Sequence, residues 1–247
     1  MINFNIIKLD AIDSTNDELK VRHRKGVVKD GTVLWAKHQK AGRGQREKKW
    51  ISDQYNSLTF SIYRSFEPPI ANGFSVSKAV TVGLLRALQQ LSVPDLSVKW
   101  PNDILSANLK VGGILIENSY RNQTLHASVI GIGLNINQES FVSLPGASSL
   151  FLKCHHKFEL DQVLEVVLEH LSHTLYSLVE EEYVFHSYFE NHLWRKDQLS
   201  EFSKGKQTFQ ATPLGVTKTG ALRVKDKNDK EQSLDSQSYQ MKYTPLH

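Results

Sequence analysis

The segment "KVGGILIENSYRNQTLHASVIGIGLNIN", Lys110 to Asn137, contains two runs that read as strands, "KVGGILIEN" and "TLHASVIGIGLNIN". Both are rich in Ile, Leu and Val, and no helical pattern lies between them. Working outward, "NFNIIKL", "GTVLWAKH" and "LSVKW" also read as strands, and "SLTFSIYR" alternates apolar and polar residues as a half-buried strand does. Helical patterns are fewer. "DSTNDELKVRHRKG" opens with capping-box spacing at Thr15 and Glu18 and stops at Gly26. Asn72–Leu91 places Val76, Val80, Leu84, Leu85 and Leu88 on one face, and Leu160, Val163, Leu164, Val167, Leu168, Leu171, Leu175 and Leu178 keep the same spacing further on. A shorter helix is expected to run to about Leu193. Several antiparallel strands with few crossover helices define an α+β chain with a mixed or antiparallel sheet. After Phe202 the pattern changes to "KQTFQAT", "ALRVKD" and "EQSLD", separated by Gly215, Gly220 and Asn228-Asp229. This reads as a small β-barrel-like appendage docked on the first domain.

With 247 residues, 40% of them hydrophobic, the chain can fill a core. The 30 Lys and Arg exceed the 26 Asp and Glu to give a formal charge of +4, which suits a nucleotide, nucleic acid or acidic protein partner without choosing among them. One cysteine, Cys154, excludes an intramolecular disulfide framework and a Cys-rich zinc site. The start lacks a signal-peptide pattern, and no run of eighteen apolar residues occurs, so a soluble cytoplasmic protein without membrane attachment is expected.

The densest chemical signal is "QKAGRGQREKKW", Gln39–Trp50. It is not a P-loop, because from Gly42 the sixth position is Glu47 and the eighth is Lys49. The dinucleotide pattern fails here too, and again in "GIGLNI", where Ile136 takes the last glycine's place. What remains is a glycine-opened cationic loop with Arg43, Arg46, Lys48 and Lys49, able to hold phosphate or carboxylate; on composition alone the solvated charge run is the favoured reading. "KWPNDI", Lys99–Ile104, presents Asn102 and Asp103 at a strand end, where they could meet a nucleotide or hydrated Mg²⁺, or simply close a turn. Lys110 starts an apolar strand whose Gly112 and Gly113 admit either a ligand or a bend. Gly131, Gly133, Asn135 and Asn137 share one strand face, as a pocket floor or as a tightly packed sheet. His155, His156, His170 and His173 lack metal-ligand spacing, and Cys154 reads as a partly buried thiol.

Taken in order, "DSTN" (Asp13–Asn16), "GRGQREKKW" (Gly42–Trp50), "KWPNDI", "KVGGILIE" and "GIGLNIN" resemble the biotin protein ligase family along essentially the whole chain. The resemblance implies a catalytic domain at residues 1–200, a mixed sheet flanked by helices like that of class II aminoacyl-tRNA synthetases, and an SH3-like barrel at 201–247. It implies formation of biotinyl-5′-adenylate from biotin and MgATP, then transfer of biotin to a lysine of a carboxylase's biotin carboxyl carrier domain. By the same resemblance Ser14, Thr15 and Gln39 would hydrogen-bond biotin, with Arg43 and the Gly42 and Gly113 backbones lining its pocket. Lys110 would meet the carboxylate and α-phosphate, with Lys110, Arg43 and Asp103 as the catalytic set. Arg46, Lys48, Trp50, Asn102 and Asn135 would lie at ATP or the adenylate, Trp50 covering adenine, and Asp103 would serve metal or the incoming lysine. A homodimer is also implied, while the Mg²⁺ ligands are not identified.

Two departures stand out. Gln45 occupies a loop position where the family pattern has arginine, so Arg46 or Lys48 is expected to substitute in part. "DSTN" is reached by residue 16, leaving no room for the winged helix-turn-helix of repressor-type members, so a monofunctional type without direct DNA binding is expected. A lipoyl or octanoyl ligase or transferase is the nearest alternative, though its Arg-Arg-x-Ser-Gly-Gly-Gly loop is missing. A nucleic-acid module stacking bases on Trp35, Trp50 and Trp100 is the alternative from another class.

Overall fold

The computed structural model describes residues 1–46, 48–142 and 144–243. The chain runs β1 (Asn5–Ile12), α1 (Thr15–Arg24), β2 (Thr32–Gln39), β3 (Ser57–Ile70), α2 (Gly73–Gln90), β4 (Leu96–Lys99), β5 (Asp103–Ser106), β6 (Leu109–Arg121), β7 (Thr124–Asn135) and α3 (Leu150–Cys154). It continues through α4 (Leu160–Tyr176), α5 (Glu182–Asn191), β8 (Ser200–Lys204), β9 (Gln207–Val216), β10 (Leu222–Lys225), β11 (Glu231–Leu234) and β12 (Tyr239–Met241). The first seven strands form one sheet in the order β1-β2-β3-β7-β6-β5-β4. Only β1 and β2 pair in parallel, so the sheet is mixed, as expected.

The two faces of this sheet have different work. Val33, Trp35, Phe60, Ile130, Ile132 and Leu134 point into the main core under α2, α4 and α5. Residues of opposite parity, Leu34, Tyr63, Ala127 and Val129, cover Leu19 of α1. The small and polar residues Ser61, Thr59, Gly131 and Gly133 continue that second face, with Thr15 and Asn16 at the start of α1 meeting Ser61 and Gly131. β3 departs from the half-buried strand its alternation predicts, because Ser57 to Arg64 are all buried. Its serines and threonines face an internal polar region rather than solvent.

Local signals explain the helix ends. α1 is capped by Ser14, whose Oγ accepts from the Asp17 amide, so the cap sits one residue before the expected Thr15. Asn72 caps α2 in the same way through the Phe74 amide. β5, β8, β12 and α3 are additional to the sequence reading; the first two and β12 have 3 to 5 residues, too short for periodicity to register.

β8–β12 form a second, five-stranded antiparallel sheet in the order β11-β10-β9-β8-β12. The small C-terminal β-domain expected from the sequence is this five-stranded sheet; among the described residues no pairing joins β11 to β12. The last four residues of that expected domain, 244–247, lie outside the described residues. The second sheet is docked on the first unit. Trp100 Nε1 donates to the Gly220 carbonyl at 3.0 Å, Glu190 Oε1 accepts from the Val216 amide at 2.7 Å, and Phe202, Val216, Leu222 and Leu234 join the main core.

Candidate functional site

Strand register builds the floor of the site. Thr59 pairs with Gly133, Gly133 with Gly113, Gly113 with Asp103, and Asp103 with Lys99, so one row crosses β3, β7, β6, β5 and β4 on the uncovered face. Along that row the residues pass from hydroxyl through bare backbone to a carboxylate and an ammonium. A parallel row pairs Ser61 with Gly131 and Gly131 with Leu115. Period-two alternation sets Lys110 against Gly113, but a register shift at Ile104/Leu105 re-aims it. Its Nζ reaches Asp103 Oδ1 at 2.6 Å. The glycine pair in this strand therefore accompanies both a bulge and a ligand-sized opening.

Above the floor lies a cavity of about 330 Å³, lined by α1's start, the 43–50 loop, the β4–β6 hairpins and the segment 236–243. Its volume lies within the range of small-ligand sites. Of the residues singled out from sequence, Ser14, Thr15, Gln39, Arg43, Arg46, Lys48, Trp50, Asn102, Asp103, Lys110 and Gly113 all line it. Asn135 and Gly42 do not. Asn135 Nδ2 donates to the Ser148 carbonyl at 3.0 Å and fastens the following loop behind the floor. Gly42 closes the base of the cationic loop, its carbonyl accepting from the Trp50 amide at 2.9 Å. A Cβ there would stand 2.5 Å from the Trp50 carbonyl oxygen, which is why glycine is needed.

At one end the polar groups form a closed network. The Thr15 amide and hydroxyl both donate to Gln39 Oε1, at 2.8 and 3.0 Å; Ser61 Oγ donates to Asn16 Oδ1 at 2.6 Å and lies 2.6 Å from Thr15 Oγ1. Two hydroxyl hydrogens serve these three side-chain contacts, so the Thr15 and Ser61 oxygens retain acceptor capacity. Gln39 Nε2 carries no hydrogen bond among the described residues and remains a donor. Asn16 is held in turn by Glu117 Oε2 at 2.9 Å, and Glu117 by Lys20 at 2.7 Å.

The cationic loop is ordered by its own backbone, with the Gly44 amide on the Lys48 carbonyl at 2.7 Å and an isolated bridge between Arg43 and Lys49. Arg43 pairs with Asp17 at 2.6 Å, which raises its already high pKa through that hydrogen bond. Burial pushes Asp17 up, but hydrogen bonds from Lys20 and Arg43 outweigh it and hold the carboxyl below its usual value. Arg46 turns the other way and donates to the Ser236 and Tyr239 carbonyls, the second at 3.0 Å. The loop is thus latched to the second sheet. Trp50 lies flat on the glycine floor: a Cβ at Gly133 would come within 2.4 Å of its ring, and one at Gly113 within 3.3 Å. Its indole Nε1 is buried without a partner.

At the opposite end Asp103 is held from two sides, by Lys110 on Oδ1 at 2.6 Å and by the Tyr243 hydroxyl on Oδ2 at 2.6 Å. Burial pushes its carboxyl up, yet the Lys110 charge and these hydrogen bonds, with Lys99 behind them, keep it ionised below 3.8. Burial drives the Tyr243 phenol far upward, so it stays protonated and donates. Lys99 Nζ sits 4.0 Å from the Tyr243 ring centroid. Asn102 Nδ2 donates to the Ile114 carbonyl at 2.6 Å, tying the β4–β5 turn to β6.

Asn16, Ser61, Glu117, Lys99 and Tyr243 belong to this site and were missed as site residues in the sequence reading. Asn16 lies within the "DSTN" motif and Lys99 within "KWPNDI". Ser61 carries the weak signal of a polar residue in an otherwise apolar strand. Tyr243 has no sequence signal, since only the docking of the second sheet brings it across.

Two docked sheets carry a pocket with a polar end, a glycine floor and a lysine–aspartate pair, and comparison with known proteins supplies the class. The chain belongs to the biotin/lipoate A/B protein ligase family, whose model matches residues 9–135. It is 34% identical over 132 residues to the bifunctional ligase/repressor BirA of Salmonella typhimurium, a match covering 53% of this chain and 41% of that protein. It is 34% identical over 141 residues to a biotin–[acetyl-CoA-carboxylase] ligase of Mycobacterium tuberculosis, covering 56% of this chain and 51% of the relative. The matched region is thus about half or less of these relatives' length. A biotin protein ligase from Aquifex aeolicus in complex with biotin and ATP superposes with a TM-score of 0.81 at 24% identity, over 96% of this chain and 98% of that one.

Proposed function

We propose that this protein is an ATP-dependent biotin protein ligase, with residues 1–200 as its catalytic domain and 201–247 as a second domain that completes the site. The observation that carries the reading is the pocket's sequence of chemistry. The Thr15 and Ser61 acceptors and the Gln39 Nε2 donor close one end, the Gly131/Gly133 floor follows, and Lys110 waits beyond it. A cyclic urea offers two N–H donors and one carbonyl acceptor, a thiolane ring and aliphatic chain suit a bare floor, and a terminal carboxylate needs a cation. A lipoyl group carries no urea and would leave the polar end unsatisfied, which favours biotin.

In the first step an oxygen of the biotin carboxylate attacks the α-phosphorus of ATP. The new O–P bond forms as the bond to the β-phosphate oxygen breaks, and pyrophosphate leaves with the electron pair. Two anions approach, so Lys110 exchanges Asp103 for the carboxylate and α-phosphate, with Arg43, Arg46 and Lys48 contributing positive potential. Trp50 covers the adenine and Asn102 and Asn135 shape the adenylate end from behind the floor. Mg²⁺ arriving with the nucleotide would supply further charge neutralisation at the triphosphate. The cavity offers it a single carboxylate, Asp103, a donor set that fits an ion carried mainly by phosphate oxygens and water. In the second step a neutral carrier-domain lysine amine, oriented by Asp103, attacks the adenylate carbonyl; the acyl C–O bond breaks, AMP leaves with the electron pair, and the amine's proton passes to water.

The acceptor is a biotin carboxyl carrier domain of a carboxylase, the setting is cytoplasmic and the assembly a homodimer. No helix among the described residues is long and apolar enough to cross a membrane. ATP–pyrophosphate exchange with biotin, lipoate or octanoate supplied singly tests the reading. Exchange is expected with biotin and to fall by roughly a hundredfold or more in Lys110→Gln. Exchange with lipoate and none with biotin overturns it.

A further inference from the structure

Four lysines, Lys48, Lys99, Lys110 and Lys242, line the far end of the cavity around one carboxylate, Asp103. Asp103 is spent on Lys110 and Tyr243. Among the described residues Lys48, Lys99 and Lys242 have no ion pair. Lys99 is the unusual one. It is 6% exposed, donates no hydrogen bond among the described residues, and its Nζ lies 4.0 Å from the Tyr243 ring centroid. A lysine is almost never buried without a partner, because desolvation of the ammonium is costly unless an anion repays it. A cation–π contact with a phenol repays part of it.

Building on the ligase reading, we infer that Lys99, with Lys242 and Lys48 around the same space, is the binding residue for the pyrophosphate portion of the nucleotide. The sheet register supports the assignment. Lys110 stands against Gly113 at the reacting centre, whereas Lys99 lies on the strand beyond Asp103, one strand further from the glycine floor. A chain of phosphates that begins at Lys110 and runs outward past Asp103 meets Lys99 next. Lys242 reaches the same place from the second sheet, held through its amide on the Glu201 carbonyl at 2.9 Å. Lys99 keeps its proton throughout the step; it neutralises charge that builds on the departing pyrophosphate as the bond to the α-phosphorus breaks. Tyr243 shields it from water in the free protein.

Binding of inorganic pyrophosphate to the full chain, followed by titration calorimetry without biotin or ATP, tests this directly. Lys99→Gln is expected to weaken pyrophosphate binding by roughly tenfold or more, the order of one charge-assisted contact. Lys99→Arg should recover most of it, and Lys242→Gln should lose about threefold as a more exposed contact. Biotin binding by Lys99→Gln, expected within about twofold of the parent, verifies that the variant is folded and that the effect is confined to the phosphate end. Unchanged pyrophosphate affinity in both glutamine variants overturns the inference. Loss of pyrophosphate binding in a protein that shows no biotin-dependent exchange would instead keep the anion site and remove the biotin reading.

Discussion

The Tyr243 hydroxyl donates to Asp103 Oδ2 at 2.6 Å across 140 residues of sequence. One hydrogen bond thus joins the second sheet to the lysine–aspartate pair at the reacting end. Tyr243 is 37% exposed as a residue, yet its ring lies over Lys99 and its oxygen is turned inward. Replacing it by phenylalanine keeps the ring and removes the donor. Tyr243→Phe should cost roughly 1 kcal/mol of stability, the lower end for a bond to a charged acceptor at a partly wet site. Urea unfolding with an unchanged m-value checks it.

Gly133 leaves the space that the Trp50 ring fills, and an added methyl would come within 2.4 Å of that ring. Gly133→Ala should therefore expel the indole and weaken biotin binding by roughly tenfold or more, since overpacking of a fitted contact costs about 1–3 kcal/mol. A red-shifted tryptophan emission, absent when the same change is made in a Trp50→Phe background, identifies the displaced ring.

Burial lowers the Lys99 pKa from 10.5 to about 8, and the facing groups Asp103, Lys48, Lys110, Lys242 and Tyr243 set the rest of its environment. Between about 8 and 10.5 the folded state binds fewer protons at this site than the unfolded chain, so the Lys99 contribution to stability rises with pH there. Anion binding moves oppositely, because the charge that attracts phosphate is lost as pH rises through about 8. The dissociation constant for pyrophosphate should increase from pH 7 to 9, and that increase should be much smaller in Lys99→Arg.

Arg46 fastens the cationic loop to the Ser236 and Tyr239 carbonyls. Arg46→Ala should raise amide exchange by roughly fivefold in residues 48–50 and 236–243, as local opening becomes about 1 kcal/mol easier. Equal protection in parent and variant would show that the latch contributes nothing in solution.

Much of the fold was legible because long elements carry clean periods. The α2 and α4 stripes place their helices to within about two residues, and the apolar runs of β3, β6 and β7 locate their strands, although β3 continues past the reading from Arg64 to Ile70. Short strands lack that redundancy, and closure of the C-terminal sheet into a barrel depends on pairing that no local pattern encodes. The site divides along the same line. Motifs on or beside the main sheet located Thr15, Gln39, Lys110 and Asp103, because strand register gathers them. Asn135 was misplaced because a motif residue at a strand end can face the cavity or fasten the loop behind it, and its amide does the latter. Arg46 was expected at phosphate but is occupied by carbonyls from a segment 190 residues away, a contact that only docking creates. Besides Arg46, whose side chain also lines the cavity, Lys48, Lys99 and Lys242 bring positive charge to the end that Gln45 leaves without a second arginine.

The position of Trp50 makes the empty pocket something other than a vacancy. Its ring already occupies the Gly113–Gly133 floor. Admission of any ligand to that floor is consequently an exchange of one occupant for another, and the measured affinity is the difference between two contacts rather than the strength of one. The displaced indole, with its nitrogen still seeking an acceptor, remains tethered within reach. The side chain that covers the floor before a ligand arrives is then available to cover the ligand from above.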